Sequence, residues 1–389
     1  TDNVDFECTL IKNDGEKIAV GNDFDKKTGK LKSDNLLHLN KDLSEKFINQ
    51  LDNKAWIVSD IKEKPYNQSP PPPFITSTLQ QAGISKLKVS AQRVMSIAQN
   101  LYENGLITYM RTDSINLSNE ALNASRNEID SLFGAEYLPS EAIQYKSKVK
   151  NAQEAHEAIR PAGAKFVHPN KLKSKLDDKE YSLYELIWSR TIASQMKNGK
   201  LLTTQVTIDN KKFKFLAKGK TIIFDGFLKV YSDLGKSKND DDKMLPKLQL
   251  NQNLCFKSIA AKEHTTKPIS RYTEASLVKE LEALGIGRPS TYASIISTII
   301  NRGYVTRIKG TLIPTFTGFA VVAFLEKYFN LKVIEAQEEE IDTVGGLVFF
   351  IASKIPKNNE VYRYKNKLSF KILSASERRI KTLEINILE

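Results

Sequence analysis

The chain has 389 residues, 40% of them hydrophobic, a length that calls for two to four compact units rather than one core. Its 58 Lys+Arg against 46 Asp+Glu leave a net charge of +12, a balance that suits a polyanionic partner and equally a solvated, lysine-rich surface. Only Cys8 and Cys255 are present and no apolar run approaches ~20 residues, which excludes a disulfide framework, a four-cysteine zinc site and a membrane-spanning helix and fits a reducing, cytosolic setting.

Residues 6–20, FECTLIKNDGEKIAV, alternate and turn at Asn13-Asp14-Gly15, which predicts a β-hairpin. Residues 203–231 are again β-rich, with turn signals at Asp209-Asn210 and Lys218-Gly219-Lys220. The two sections are compatible with one sheet interrupted by a long insertion. That insertion opens with SPPPPF at 69–74, where four prolines exclude helix and impose a stiff, extended connector. VSAQRVMSIAQNLYENG then predicts a helix capped by Ser90, with Val94, Ile97, Ala98 and Leu101 on one face and Gly105 as its stop. SNEALNASRNEIDSLFG repeats the plan, with Leu122, Ile129, Leu132 and Phe133 inward and Gly134 at its end. Further on, GKSKNDDDK at 235–243 reads as a solvated loop rather than a metal site. From Thr273 the pattern is helix, tight turn, helix, hairpin. Leu277, Leu281 and Leu284 mark the first helix, Tyr292, Ile295 and Ile299 the second, and Gly310 the turn of the hairpin, which together outline a winged helix-turn-helix. The segment from Phe319 begins as helix, and after about Ile341 the pattern assigns no element.

Three short stretches carry candidate chemistry. In GLITYMRTDS, residues 105–114, a strand sets Tyr109, Arg111 and Asp113 on one face. A phenol of pKa near ~10 needs a cation beside it to attack at neutral pH, and Arg111 is placed to supply one and to bind the non-bridging oxygens of a phosphate. The same pattern fits a packing tyrosine on an ordinary strand, and the motif alone leaves both readings open. In QEAHEAIRP, residues 153–161, a helix up to Pro161 puts His156 and Arg160 on one face, offering two donors to a phosphodiester; a structural pairing of His156 with Glu154 or Glu157 is the alternative. In GIGRPSTY, residues 285–292, Ser290 and Thr291 open a helix beside Arg288, which makes either an anion site or a plain cap. Arg302, at the far end of that helix, is a further candidate contact. Lys214 stands where a P-loop would need its leading glycine and no D-x-D cluster sits in a structured context, so neither an ATP site nor an in-chain Mg²⁺ site is expected.

PPPPFITSTLQQ, GLITYMRTDS, QEAHEAIRP and YTEASLVKELEALGIGRPSTYASIISTIINRGYV, in this order, resemble the type IA DNA topoisomerases, and the similarity runs up to about Tyr328. Met110, where the topoisomerase III branch typically has a proline, and the surroundings of His156 resemble the topoisomerase I branch. The resemblance implies that Tyr109 is the nucleophile forming a 5′-phosphotyrosyl link and that Arg111 stabilises the phosphoryl charge. It makes His156, Arg160, Arg288, Ser290, Thr291 and Arg302 contacts for the bound strand. It further implies a multidomain α+β fold, a toroidal core made of a β-rich arch (1–68 and 197–266), a helical domain carrying the tyrosine (69–196) and a helical, winged-helix-like DNA-binding base (267–389). Hinges are implied near Pro70–Pro73 and near residue 197. The implied partner is single-stranded or negatively supercoiled DNA, acted on by an ATP-independent monomer in the cytoplasm and nucleoid. Members of the family carry an amino-terminal Toprim domain that binds Mg²⁺ through an acidic triad, and carboxy-terminal zinc ribbons; neither has a counterpart in this sequence. The expectation is single-stranded DNA binding with little or no relaxation by this chain alone. A single-stranded DNA clamp without catalysis is the alternative.

Overall fold

The computed structural model describes residues 4–145, 157–231, 245–329, 348, 351–352, 356–364, 368–376 and 379–387. Its elements begin with β1 (Thr9–Asn13), β2 (Glu16–Ile18), β3 (Leu36–Leu37), α1 (Lys41–Gln50), β4 (Ile57–Gln68), α2 (Thr76–Leu87), α3 (Ala91–Glu103) and α4 (Asn119–Phe133). They continue with α5 (Asp178–Ser194), β5 (Gly199–Asn210), β6 (Phe213–Phe224), α6 (Glu274–Ala283), α7 (Tyr292–Asn301), β7 (Val305–Ile308), β8 (Thr311–Pro314) and α8 (Phe316–Phe329). Last come β9 (Val361–Tyr364), β10 (Leu368–Ser376) and β11 (Arg379–Ile387). The chain divides into two compact units, Thr1–Phe74 with Leu101–Tyr109 and Ser114–Ser270, and Ile75–Asn100 with Met110–Asp113 and Arg271–Glu389. This division cuts through the expected 69–196 insertion, part of which belongs to each unit.

The first unit is organised by a six-stranded sheet of order β3-β2-β1-β6-β5-β4. β1 and β2 turn at Asp14 (φ 49°) and Gly15 (φ 85°), the left-handed pair whose twist matches a two-residue hairpin. Because β1 pairs with β6, with Leu10 opposite Phe215, the two β-rich sections do share one sheet. β5 and β6 turn at Lys211 (φ 54°) rather than at Asp209-Asn210, and Lys218 to Lys220 run straight through β6 opposite Gln205 to Thr203. Its core holds Trp56, Val58, Val206, Ile208, Phe213 and Phe215, joined by Phe47 from α1. Each such side chain gains ~1.5–3 kcal/mol from leaving water. β4 is the edge strand, the position where Pro65 removes no ladder bond needed by a further neighbour.

Helices complete this unit. Ser118 caps α4 by accepting the Ala121 amide at 3.2 Å, and Leu122 and Ile129 are buried as expected, but Leu132 is 44% exposed. α5 opens with a capping box between Asp177 and Glu180 and buries Leu183, Leu186, Ile187 and Ile192. The proline connector is fastened to it: Arg190 Nε donates to the Pro72 carbonyl at 2.6 Å and its guanidinium lies 4.7 Å from the centre of the Phe74 ring.

In the second unit, α2 and α3 pack closely enough that Gly83 meets Val94 directly. Ala91 shares a core with Val278, Leu281, Tyr292 and Ile296 of α6 and α7. The buried face of α6 runs through Glu274, Val278 and Leu281, whereas Leu284, expected on it, is 60% exposed. α6, α7 and the β7–β8 hairpin, turning at Lys309 (φ 48°) and Gly310 (φ 79°), form the expected winged helix-turn-helix outline. The last segment begins as helix α8, as expected, and in the region after about Ile341, for which the sequence assigns no element, β9, β10 and β11 form an antiparallel sheet around Val348, Phe370 and Ile372.

Candidate active site

Stretch 105–114 is not a strand of a sheet. Its single bridge joins Ile107 to Pro161, and Phe74 bridges Ile159. The stretch is instead fixed by individual bonds within the first unit. Thr108 donates its amide to the Arg160 carbonyl at 2.9 Å, and its hydroxyl donates to the Ala158 carbonyl at 2.7 Å while accepting the Arg160 amide at 3.0 Å. The Ala162 amide closes the set on the Leu106 carbonyl at 2.9 Å. Residues 157–161 are therefore extended, not helical, and their backbone groups serve as the frame for Thr108. Tyr109, next in the chain, is 39% exposed, with its ring edge-on to Tyr102 at 5.4 Å.

In the second unit, α2 holds the residues that follow Tyr109. Thr76 Oγ1 donates to the Met110 carbonyl at 2.8 Å and accepts the Thr112 amide at 2.9 Å, while its own amide donates to the Thr112 carbonyl at 2.9 Å. Met110 and Thr112 are buried, and Arg111 between them is exposed. Extended backbone thus preserves the alternation expected of a strand without a sheet. Arg111 lines a cavity of about 460 Å³, together with Gln80, Gln92, Gln99, Ser290 and Ser297. The walls are tied across α3 and α7 by Ser297 Oγ donating to Gln92 Oε1 at 2.9 Å.

Arg111 and Ser290 are therefore brought to one cavity. The neighbouring turn is built by Gly287, whose φ of +83° and crowding against Ile295 and Thr291 exclude a side chain. Thr291 Oγ1 accepts the Arg288 amide at 2.8 Å, and the Thr291 amide donates to the Arg288 carbonyl at 2.8 Å, so this hydroxyl and amide close the turn rather than standing open to an anion. Arg288 and Arg302 are both exposed, Arg302 at the carboxy-terminal cap of α7.

Arg160, expected as a contact for a bound strand, is turned inward. Its side chain is 7% exposed and its guanidinium donates to both Glu157 oxygens at 2.8 and 2.9 Å and to the Pro161 and Gly163 carbonyls. Burial alone would raise the Glu157 pKa, but the hydrogen bonds from Arg160 and from the Ser118 amide outweigh it and hold the carboxyl below its ordinary value. His156 and the 235–243 loop lie outside the described residues.

Thr76 and Gln80 were not singled out by the motif reading. They are polar, four apart and fully buried on one helix, a stripe that burial should have filled with apolar residues, and that spacing is the signal they carried. Among the described residues no group of three or more His, Cys, Asp or Glu is placed to hold a metal ion, so the implied Mg²⁺ finds no ligand set there. Among them, too, no helix is long and apolar enough to cross a membrane.

Residues 7–343 match the family model described as DNA topoisomerase, and residues 315–389 match that of the transporter associated domain. DNA topoisomerase 1 of Mycolicibacterium smegmatis is 46% identical over 355 residues, covering 87% of this chain and 38% of the relative. The Synechococcus elongatus DNA topoisomerase 1 is 46% identical over 331 residues, covering 83% and 37%. The structure of full-length topoisomerase I from Thermotoga maritima superposes with a TM-score of 0.65 at 38% identity, over 77% of this chain and 49% of that one. The chain spans less than two fifths of the length of these two sequence relatives.

Proposed function

The chain belongs to the bacterial, type IA DNA topoisomerase family, and from that membership we propose that it carries the strand-cutting part of a DNA topoisomerase, with Tyr109 as nucleophile. The phenolic oxygen attacks a backbone phosphorus, the bond from phosphorus to the 3′ oxygen breaks, and the departing oxygen takes up a proton to become a 3′-hydroxyl. The DNA is left joined to Tyr109 through its 5′ phosphate. Reversal of the same step rejoins the strand after another has passed, and because the phosphotyrosyl link retains the bond energy, relaxation of negative supercoils by the full-length protein needs no ATP.

Arg111 is proposed to meet the charge that grows on the non-bridging oxygens, the largest kind of stabilisation available to phosphoryl transfer. Ser290, in the same cavity, hydrogen-bonds the adjoining DNA backbone, while Arg288, Arg302 and His156 contact flanking phosphates and Thr291 holds the turn that presents Arg288. Arg160 is a positioning residue, acting through the carbonyl and amide that frame Thr108. Each unit by itself supports the roles of Tyr109 and Arg111: in the first, Tyr109 is exposed next to the backbone that Thr108 fixes, and in the second, Arg111 is exposed between backbone groups that Thr76 fixes.

The test is a denaturation-resistant adduct between the full-length protein and a labelled single-stranded oligonucleotide. Tyr109→Phe is expected to abolish the adduct while leaving oligonucleotide affinity nearly intact; an unchanged adduct moves the nucleophile elsewhere.

A further inference from the structure

Gln80 is 0% exposed, and neither its Oε1 nor its Nε2 has a hydrogen-bond partner among the described residues. Leaving even one buried polar group unmatched is destabilising, so two on one amide at the middle of a well-packed helix call for an explanation. Gln80 is among the residues that line the Arg111 cavity. One turn earlier on the same face, Thr76 has its hydroxyl fully engaged with Met110 and Thr112. Helix α2 thus offers a structural polar group at Thr76 and an unsatisfied one at Gln80.

From this we propose that Gln80 pairs with the edge of a nucleobase from the strand bound at the Arg111 cavity, an inference that rests on the DNA-binding reading above. A phosphate does not complete the amide. Phosphate oxygens only accept, so they would engage Nε2 and leave Oε1 facing an anion. A base edge presents a donor beside an acceptor: an amino group next to a ring nitrogen in adenine and cytosine, a ring N–H next to a carbonyl in guanine and thymine. Turning the amide over matches either arrangement. The cavity of about 460 Å³ lies within the range of ordinary small-ligand sites, and the cationic Arg111 lines it to receive the attached phosphate. Gln80 is therefore a base-contacting residue, not a catalytic one.

The experiment is a binding scan of the 389-residue chain against single-stranded oligonucleotides in which one base at a time is removed, leaving the sugar–phosphate backbone intact. One position is expected to lose about 5- to 100-fold in affinity in the native protein. In Gln80→Met, which keeps length and shape, that position becomes insensitive while the rest of the profile stands. The thermal midpoint should be unchanged or higher, since two unmatched polar atoms have been replaced by apolar ones. Gln80→Glu, acceptor only, serves as a second variant and should weaken binding of every oligonucleotide. A flat profile in the native protein, or a position-specific loss that survives Gln80→Met, overturns the proposal. A fall in thermal midpoint with unchanged binding does the same, marking Gln80 as structural. Failure to bind any oligonucleotide overturns the DNA-binding reading itself and is distinguishable from all three.

Discussion

Thr76 accepts the Thr112 amide at 2.9 Å through the same hydroxyl that donates to the Met110 carbonyl at 2.8 Å. One buried side chain therefore sets the direction of the peptide units on both sides of Arg111. Thr76→Val keeps the shape and removes the hydroxyl, with an expected loss of about 1–3 kcal/mol in stability. In the full-length protein it should lower adduct yield more than oligonucleotide affinity, and Thr76→Ser should restore both. Equal adduct yield in the valine and serine variants would contradict the positioning role.

The Arg160–Glu157 pair predicts a pH dependence. A carboxyl whose pKa is lowered on folding contributes stability that is complete above its unfolded value and is lost as pH falls through the folded one. The native chain should therefore lose stability from about pH 4.5 downward through this group, and Glu157→Gln should remove that part of the acid dependence. Glu157→Ala, which leaves a buried guanidinium without its carboxylate, should cost about 3–5 kcal/mol. Denaturant titrations across this pH range read both effects.

Gly83 sits where an added Cβ would lie 2.8 Å from Val94 Cγ1. Alanine ordinarily favours a helix over glycine by ~1 kcal/mol, but Val94 is fully buried and has no room to move. Gly83→Ala is expected to destabilise by about 1–3 kcal/mol. Gly83→Ala combined with Val94→Ala should show a favourable coupling in a double-mutant cycle. An additive cycle would mean that α2 and α3 do not touch there.

Arg288 and Arg302 are exposed at opposite ends of the second helix of the winged outline. If each neutralises one phosphate of a single strand, alanine at either position should reduce the slope of log affinity against log salt by about 0.7. A slope unchanged in both variants would remove them from the interface.

Much of this was legible in the sequence. Val94, Ile97, Ala98 and Leu101 are buried on one face of α3, Asp14-Gly15 turns the first hairpin, and the helix-turn-helix with its wing stands where the spacing put it. Alternation in GLITYMRTDS was also real, but a period of two reports extended backbone, not a sheet, and here individual bonds to residues 158–162 and to Thr76 replace a ladder. Arg160 misled for a related reason: a helical period assumed for an extended segment turned a buried ion pair into an apparent surface contact. β4 escaped notice because IVSDIKEKPYNQ carries charges on both faces, as an edge strand can, and a proline. The terminal strands lie after about Ile341, where the motifs assign no element, and the irregular register of β10 between Ile372 and Ala375 interrupts its period of two.

The most direct measurement is the identity of the residue that carries the DNA. Adduct trapped on the full-length protein, digested with protease and nuclease and read by tandem mass spectrometry, should place a nucleotide phosphate on Tyr109, in the peptide that spans Gly105 to Arg111. Phosphonucleotide on any other residue, with Tyr109 unmodified, would contradict the account at its centre.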